Sequence, residues 1–157
     1  METIDRSESI KEKEEKIQKQ EEIQNSAPNN KVFGELVFDY GWKGKTNILL
    51  WDKTYEIIVD ASAYYESEKI TTEQETVYMD FNEKKSEKQK IIETLLLDYF
   101  NNELDKKQLS QRLTPKELVI EREGEMALLF EDKEDLDNGL AVVLYPDEEV
   151  MTQDEYL

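Results

Sequence analysis

The sequence contains no histidine and no cysteine. Histidine is the usual general base and a common metal ligand near neutral pH, and the cysteine thiolate is a ready nucleophile. Without them, disulfide bonds are excluded and only oxygen atoms remain as metal ligands. Catalysis that depends on an imidazole or a thiolate is therefore excluded as well.

Long apolar runs are also missing. No run approaches the roughly 18 residues that a membrane-spanning helix requires. The first residues, 1–6, do not contain the apolar segment of a signal peptide. These two observations predict a cytoplasmic protein that does not bind membranes.

Positive charge is scarce. The 157 residues carry 38 acidic and 20 basic side chains, which gives a formal net charge of −18. Binding to nucleic acid or to anionic lipid requires cationic contacts, so the composition argues against both. An anionic surface steers association with a cationic one, and we therefore expect a basic protein as the partner.

The chain divides by composition near residue 30. Residues 1–24 are mostly Glu, Lys and Gln with isolated isoleucines spaced six or seven apart, too sparse for a coiled-coil seam. Residues 25–30, Asn-Ser-Ala-Pro-Asn-Asn, are typical of a linker. The sequence thus predicts a polar helical or disordered arm with its linker over 1–30 and a single domain over 31–157.

The first part of the domain is rich in β-forming residues. Strands are predicted at 32–40, 46–51 and 53–63, and the two glycines of 41–45 predict a turn between the first two. Residues 52–53 predict a tight connection to the third strand.

Helical patterns follow. Thr71 and Thr72 begin overlapping capping boxes, and apolar residues recur at helical spacing after a polar gap, which predicts helices at 72–83 and 87–103. Further strands are predicted at 118–122, 126–130 and 140–145.

The order β-β-β-α-α-β-β-β predicts an α+β fold. We expect an antiparallel sheet built from two three-stranded meanders, with the helices packed on one face.

Aromatic residues crowd the first half of the domain. Trp and Tyr are frequent anchors of protein interfaces, whereas aromatic residues within strands usually pack in the core. Trp42 lies between two glycines of the predicted turn, where burial is difficult, so it is the best candidate for an exposed contact. The predicted partner-binding residues are Tyr40, Trp42, Tyr64 and Tyr65.

The acidic loop 131–139 is the best candidate for a metal site. An EF-hand loop requires oxygen ligands at alternate positions before its glycine, but Leu136 occupies one of them. The spacing therefore favours a solvated hairpin loop, and the sequence predicts neither a metal ion nor a cofactor.

Four short segments resemble a group of small acidic bacterial proteins of unknown function, over residues 32–157. They are Phe33–Leu36, Tyr40–Gly44, Asn138–Val142 and Gln153–Leu157. Members of this group are similar to immunity proteins that accompany secreted bacterial toxins. The resemblance implies protein binding and assigns no functional residue.

The first hypothesis is accordingly a non-enzymatic, cytoplasmic protein-binding protein, such as an immunity protein that neutralises a basic toxin. A second is a nucleic-acid mimic that occupies a DNA-binding protein through rows of carboxylates. A third is a metal-dependent hydrolase that uses carboxylates of the acidic loop, drawn from Glu131, Asp132, Asp135 and Asp137.

Overall fold

The computed structural model describes residues 29–157. The arm predicted over residues 1–24, and the linker as far as residue 28, lie outside the described residues. Nine strands and four helices follow in chain order: β1 Asn29–Asn30, β2 Gly34–Glu35, β3 Val37–Phe38, β4 Trp42–Leu50, β5 Lys53–Ala61, α1 Thr72–Glu83, α2 Lys85–Tyr99, α3 Lys106–Arg112, β6 Leu113–Ile120, β7 Met126–Asp132, β8 Leu140–Tyr145, β9 Glu149–Thr152 and α4 Gln153–Tyr156.

Seven strands form one mostly antiparallel sheet in the order β3-β4-β5-β6-β7-β8-β9, and β1 pairs with β2 in a small separate ribbon. The predicted mixed class is confirmed. The sheet departs from two separate three-stranded units in two ways. β5 and β6 pair in parallel and join the halves, and β9 gives the second half a fourth strand.

Two turns lie elsewhere than predicted. Residues 42–45, assigned to a turn because of their glycines, belong to β4. The chain turns at Tyr40 and Gly41 instead, both of which have positive φ. The β4–β5 connection is Trp51–Asp52, also at positive φ, one residue earlier than predicted, and β5 begins at Lys53 as predicted. Consecutive positive φ values match the twist that a two-residue hairpin requires.

Pro115 lies inside β6, where proline is uncommon because it cannot donate a hydrogen bond to the neighbouring strand. The β6–β7 register shifts between Pro115 and Glu117, and this bulge accommodates a residue that lacks an N–H donor. As a result β6 begins at Leu113, five residues before the predicted strand.

Only α1 begins where its cap predicts; α2 begins at Lys85, two residues before the predicted start, without a side-chain cap, and α3 is an additional helix. Thr71 and Gln74 form the capping box of α1, whose bounds match the prediction. Asp105 and Gln108 form the equivalent box of α3. α2 ends at Tyr99, four residues earlier than expected, where Asn101 and its neighbour adopt positive φ.

One large apolar cluster joins helices and sheet. Apolar residues of α1 and α2 share it with alternate residues of the central strands, including Phe81, Ile92, Leu96, Ile57, Val59, Leu118, Ile120, Leu128 and Phe130. The alternate apolar residues of β5 and the apolar residues of α2, which recur three and four positions apart, therefore pack in the same core.

Asn29 and Asn30, which the sequence assigned to the linker, form β1. Asn30 is buried, and its Oδ1 accepts hydrogen bonds from the N–H groups of Val32 and Phe33 at 2.8 and 2.9 Å. Its Nδ2 donates to Glu75 Oε2 at 3.1 Å. Asn30 is thereby fixed to the folded domain.

Between Asn29 and Leu157, each helix is too short or too polar to serve as a bilayer span.

Candidate functional site

Three of the four predicted contact residues are exposed. Tyr40 is 93% exposed, Tyr64 83% and Tyr65 69%. Tyrosine is enriched at protein interfaces, so a group of open tyrosines is a candidate contact surface. Tyr40 lies in the β3–β4 turn, and the other two follow β5.

Trp42, the strongest candidate from the sequence, is not exposed. Only 7% of it is accessible. Its ring packs edge-on against Phe38 with centroids 5.2 Å apart, and its Nε1 donates to the carbonyl of Glu68 at 2.8 Å. The prediction of an exposed Trp42 is therefore wrong, because the residue begins β4 and points into a small core.

Gly44 explains the misplacement of that turn. A Cβ at position 44 would lie 2.9 Å from Leu36 Cδ2, so glycine is present because another chain segment packs closely on the strand. In the sequence alone, such a glycine is indistinguishable from one that permits a turn.

Tyr40 and Tyr64 line the same solvent-open cavity of about 750 Å³, here called the tyrosine groove. The β3–β4 turn and the segment that follows β5 line one part of it, and the β6–β7 hairpin turn lines the rest. The lining residues are Tyr40, Ser62, Ala63, Tyr64, Glu121, Arg122, Glu123 and Glu125. Tyr65 lies next to this lining and extends the aromatic surface.

Glu68 fixes the segment that carries the two tyrosines. Its Oε1 accepts hydrogen bonds from the backbone N–H groups of Tyr64 and Tyr65 at 2.5 and 3.0 Å. These bonds, aided by the nearby Arg122 guanidinium, hold the pKa of the Glu68 carboxyl below its ordinary value. The ionised carboxylate thus orders the backbone while both phenol rings remain free.

Arg122 is the one cationic residue among those that line the groove. Its Nη1 donates to the Ser62 carbonyl at 3.1 Å and its Nη2 to the Lys69 carbonyl at 3.0 Å. Its Nε lies 3.7 Å from Glu68 Oε2. The guanidinium is therefore engaged by two backbone carbonyls and by Glu68.

The three glutamates of the lining alternate along the hairpin turn. Glu121 N–H donates to the Glu125 carbonyl at 2.7 Å, and Gly124, at φ +96°, closes the turn. Glu123 and Glu125 are exposed and Glu121 is half-buried. The hairpin turn therefore contributes three glutamates, here called the glutamate wall, to a cavity that two tyrosines also line.

α4 brings a further tyrosine to this hairpin. Burial, together with the charges of Glu121 and Glu125, raises the pKa of the Tyr156 hydroxyl. Its oxygen is buried. The carboxylates of the turn thus lie close enough to influence Tyr156, and the phenol stays neutral at physiological pH.

The acidic loop has a structural role at Asp132. This carboxylate, 3% exposed, accepts from Arg112 Nε at 2.8 Å and from Arg112 Nη2 at 3.1 Å. Asp135, another candidate, accepts from Asn138 Nδ2 at 3.2 Å. Within residues 29–157, no three acidic side chains are grouped closely enough to hold a metal ion.

No protein-family model matches the sequence, and no curated protein or solved structure matches it either. The geometry of the groove is therefore what bears on function. Sequence reasoning missed the glutamate wall, although its signal was present. Acidic residues occur at 121, 123 and 125 around Gly124, where the sequence places the turn between two predicted strands.

Proposed function

We propose that this chain is a non-enzymatic protein-binding protein whose tyrosine groove receives a basic segment of its partner. One observation carries the proposal: two highly exposed tyrosines and three glutamates line the same open cavity. Tyrosine supplies contact area at a low entropic cost, and carboxylates select lysine and arginine.

The electrostatics of the groove favour a cationic occupant. The lining carries three glutamates against the single cation Arg122, which is already bonded to carbonyl groups and paired with Glu68. A guanidinium from a partner can pair with a carboxylate and stack on a phenol ring at the same time. The formal charge of −18 attracts such a partner over longer distances.

The immunity-protein hypothesis is the specific form of this proposal. An inhibitor of this kind needs a preformed anionic surface and no catalytic group. The segment held by Glu68 supplies the rigid support, because it orders Tyr64 and Tyr65 before any partner arrives.

We also infer that the helices cover one face of the sheet. Ile57, Val59, Leu118 and Ile120 share a core with the helices. Their neighbours Ile58, Asp60 and Glu117 point the other way, as strand alternation requires, and are partly accessible.

Two charge-matched triple variants test the proposal. One carries Glu121→Gln, Glu123→Gln and Glu125→Gln in the groove. The control carries three substitutions in the acidic loop, Glu131→Gln, Asp135→Asn and Asp137→Asn. Both variants lose three negative charges through the corresponding amides, so they differ in where on the protein the charges are removed.

The tagged wild-type protein and both variants are used to capture partners from the native host. We expect one basic protein on the wild type and on the control, absent from the groove variant and released by salt. Equal capture by both variants would contradict the proposal. Neutralisation of the captured protein's toxicity on co-expression tests the immunity role.

One observation favours the nucleic-acid mimic as a second candidate. Glu125 lines both the groove and an adjoining hollow that also contains Asp147, Glu149 and Glu155. The acidic surface therefore continues past the hairpin. If the captured protein binds DNA, duplex DNA should displace this chain from it, and a lack of competition would reject this candidate.

A further inference from the structure

The two halves of the sheet meet at a short junction. β5 and β6 pair in parallel over residues 58–61 and 117–120 only, whereas β4 and β5 pair along their whole length. Parallel pairs are somewhat less stable per residue than antiparallel ones. Side chains that cross this junction therefore matter for holding the halves together.

Three charged side chains meet at this junction. Lys43 Nζ lies 3.2 Å from Asp60 Oδ2 and 3.4 Å from Glu117 Oε2. Lys43 and Asp60 are direct partners in the β4–β5 register, and Glu117 projects from β6. The side chains are 27%, 13% and 25% exposed, so one ammonium group serves two largely buried carboxyl groups.

Gly41 closes this cluster on one side. A Cβ at position 41 would lie 2.3 Å from Asp60 Oδ1, so the turn fits tightly over that oxygen. Asp60 Oδ1 is buried and accepts no hydrogen bond. Water is thus excluded where an ionised carboxylate would need it most.

This environment favours a protonated carboxyl group. Burial, followed by hydrogen bonding to Glu117, raises the pKa of Asp60 to about 6, even though Lys43 opposes the shift. For Lys43, the attraction of the two acids outweighs its burial and raises its pKa, so it stays charged. With Lys43 charged, one proton shared by the two carboxyl groups leaves the cluster neutral.

We infer that Lys43, Asp60 and Glu117 form a proton-dependent clasp across the parallel junction, closed when the two carboxyl groups share a proton and loosened when both are ionised. Among the described residues, Lys43 from β4 and Glu117 from β6 are the charged groups in contact with Asp60. The β3–β4 turn contributes Gly41, which carries no charge.

The sign of the pH dependence follows from the raised pKa. The folded chain holds its proton more tightly than the unfolded chain does, so the clasp stabilises the junction fully below the ordinary aspartate pKa of 3.8. This contribution falls as the pH rises from there to about 6. Gln74 Nε2 and Arg122 Nη1 also donate to the Ser62 carbonyl near the same junction and keep the halves attached.

Hydrogen exchange tests the clasp directly. Protection factors, corrected for intrinsic exchange, are measured at about pH 5 and about pH 7.5 for amides of residues 58–61 and 117–120, with β7–β8 amides as the internal reference. In the wild type we expect junction protection to fall about tenfold relative to the reference, as a pKa difference of one unit or more implies.

Asp60→Asn mimics the protonated carboxyl group, so its junction protection should not change with pH. The same pH response in Asp60→Asn and the wild type would overturn the inference. If that variant fails to fold, Glu117→Gln replaces it with the same expectation. Carbon-13 titration of the wild-type Asp60 carboxyl group needs no variant, and ordinary titration of Asp60 near pH 4 would equally overturn the inference.

Discussion

Replacing Gln74 by methionine should destabilise the domain far more than its polar surroundings in the sequence indicate. Gln74 is fully buried. Its Nε2 donates to the carbonyls of Ser62 and Ile120, each at 3.0 Å, and its Oε1 accepts from Thr71 N–H at 2.9 Å. One side chain therefore ties the start of α1 to the ends of β5 and β6.

The magnitude follows from the three lost bonds. A typical hydrogen bond contributes about 1 kcal/mol net, and a donor or acceptor left unsatisfied costs more. Ser62 O and Ile120 O each keep another donor, Arg122 Nη1 and Ser62 N respectively, which limits the penalty. We therefore expect Gln74→Met to lower the free energy of unfolding by about 2–3 kcal/mol.

Gln108 supplies the matched control. It occupies the same third position of a capping box, in α3, and its Oε1 accepts from Asp105 N–H at 2.9 Å, but it is exposed. Gln108→Met should cost only about 0.5–1 kcal/mol. Urea unfolding at neutral pH measures both variants, and equal losses would refute the assigned role of the buried amide of Gln74.

Three further variants test other contacts. Asp132→Asn should lower the free energy of unfolding by about 3 kcal/mol at neutral pH, because Arg112 loses its buried partner. This loss should shrink below about pH 4 as the wild-type carboxylate protonates, and an unchanged loss in acid would contradict the assigned role. Gly41→Ala should lower the free energy of unfolding, measured in urea, by about 2 kcal/mol, because the new Cβ would collide with Asp60. An unchanged free energy of unfolding would refute the tight turn. Deleting residues 1–28 should change the midpoint of thermal unfolding by less than about 2 °C, because their four isoleucines offer little apolar area. A larger decrease, measured by circular dichroism, would show that these residues pack on the domain.

Local signals predicted the elements that local chemistry determines. The bounds of α1 follow from its Thr71–Gln74 capping box and the polar stretch after it, and both features are visible in the sequence. β8 was recognised from its continuous apolar run between Gly139 and Pro146. These signals need no knowledge of what packs against the element.

Long-range packing explains what the sequence did not reveal. Gly44 accommodates Leu36, and Pro115 is tolerated at a bulge, so two apparent breaks lie inside strands. The parallel pairing of β5 with β6 depends on how the intervening helices return the chain, which no short pattern encodes.

The candidate site was predicted in part. Tyr40 and Tyr64 are exposed, as predicted. Trp42 was predicted to lie exposed in a turn, but it is buried at the start of β4. The glutamate wall comes from a hairpin distant in sequence, and only the β5–β6 junction brings it to the tyrosines. Composition indicated an anionic surface without showing where it concentrates.

The most direct test of the groove is the affinity of the captured basic partner for two tyrosine variants. Calorimetry compares Tyr40→Ser/Tyr64→Ser with the control Tyr99→Ser, in which an exposed tyrosine of α2 outside the groove lining is replaced. The account predicts at least about a tenfold loss of affinity for the groove variant and none for the control. Unchanged affinity in the groove variant would contradict it.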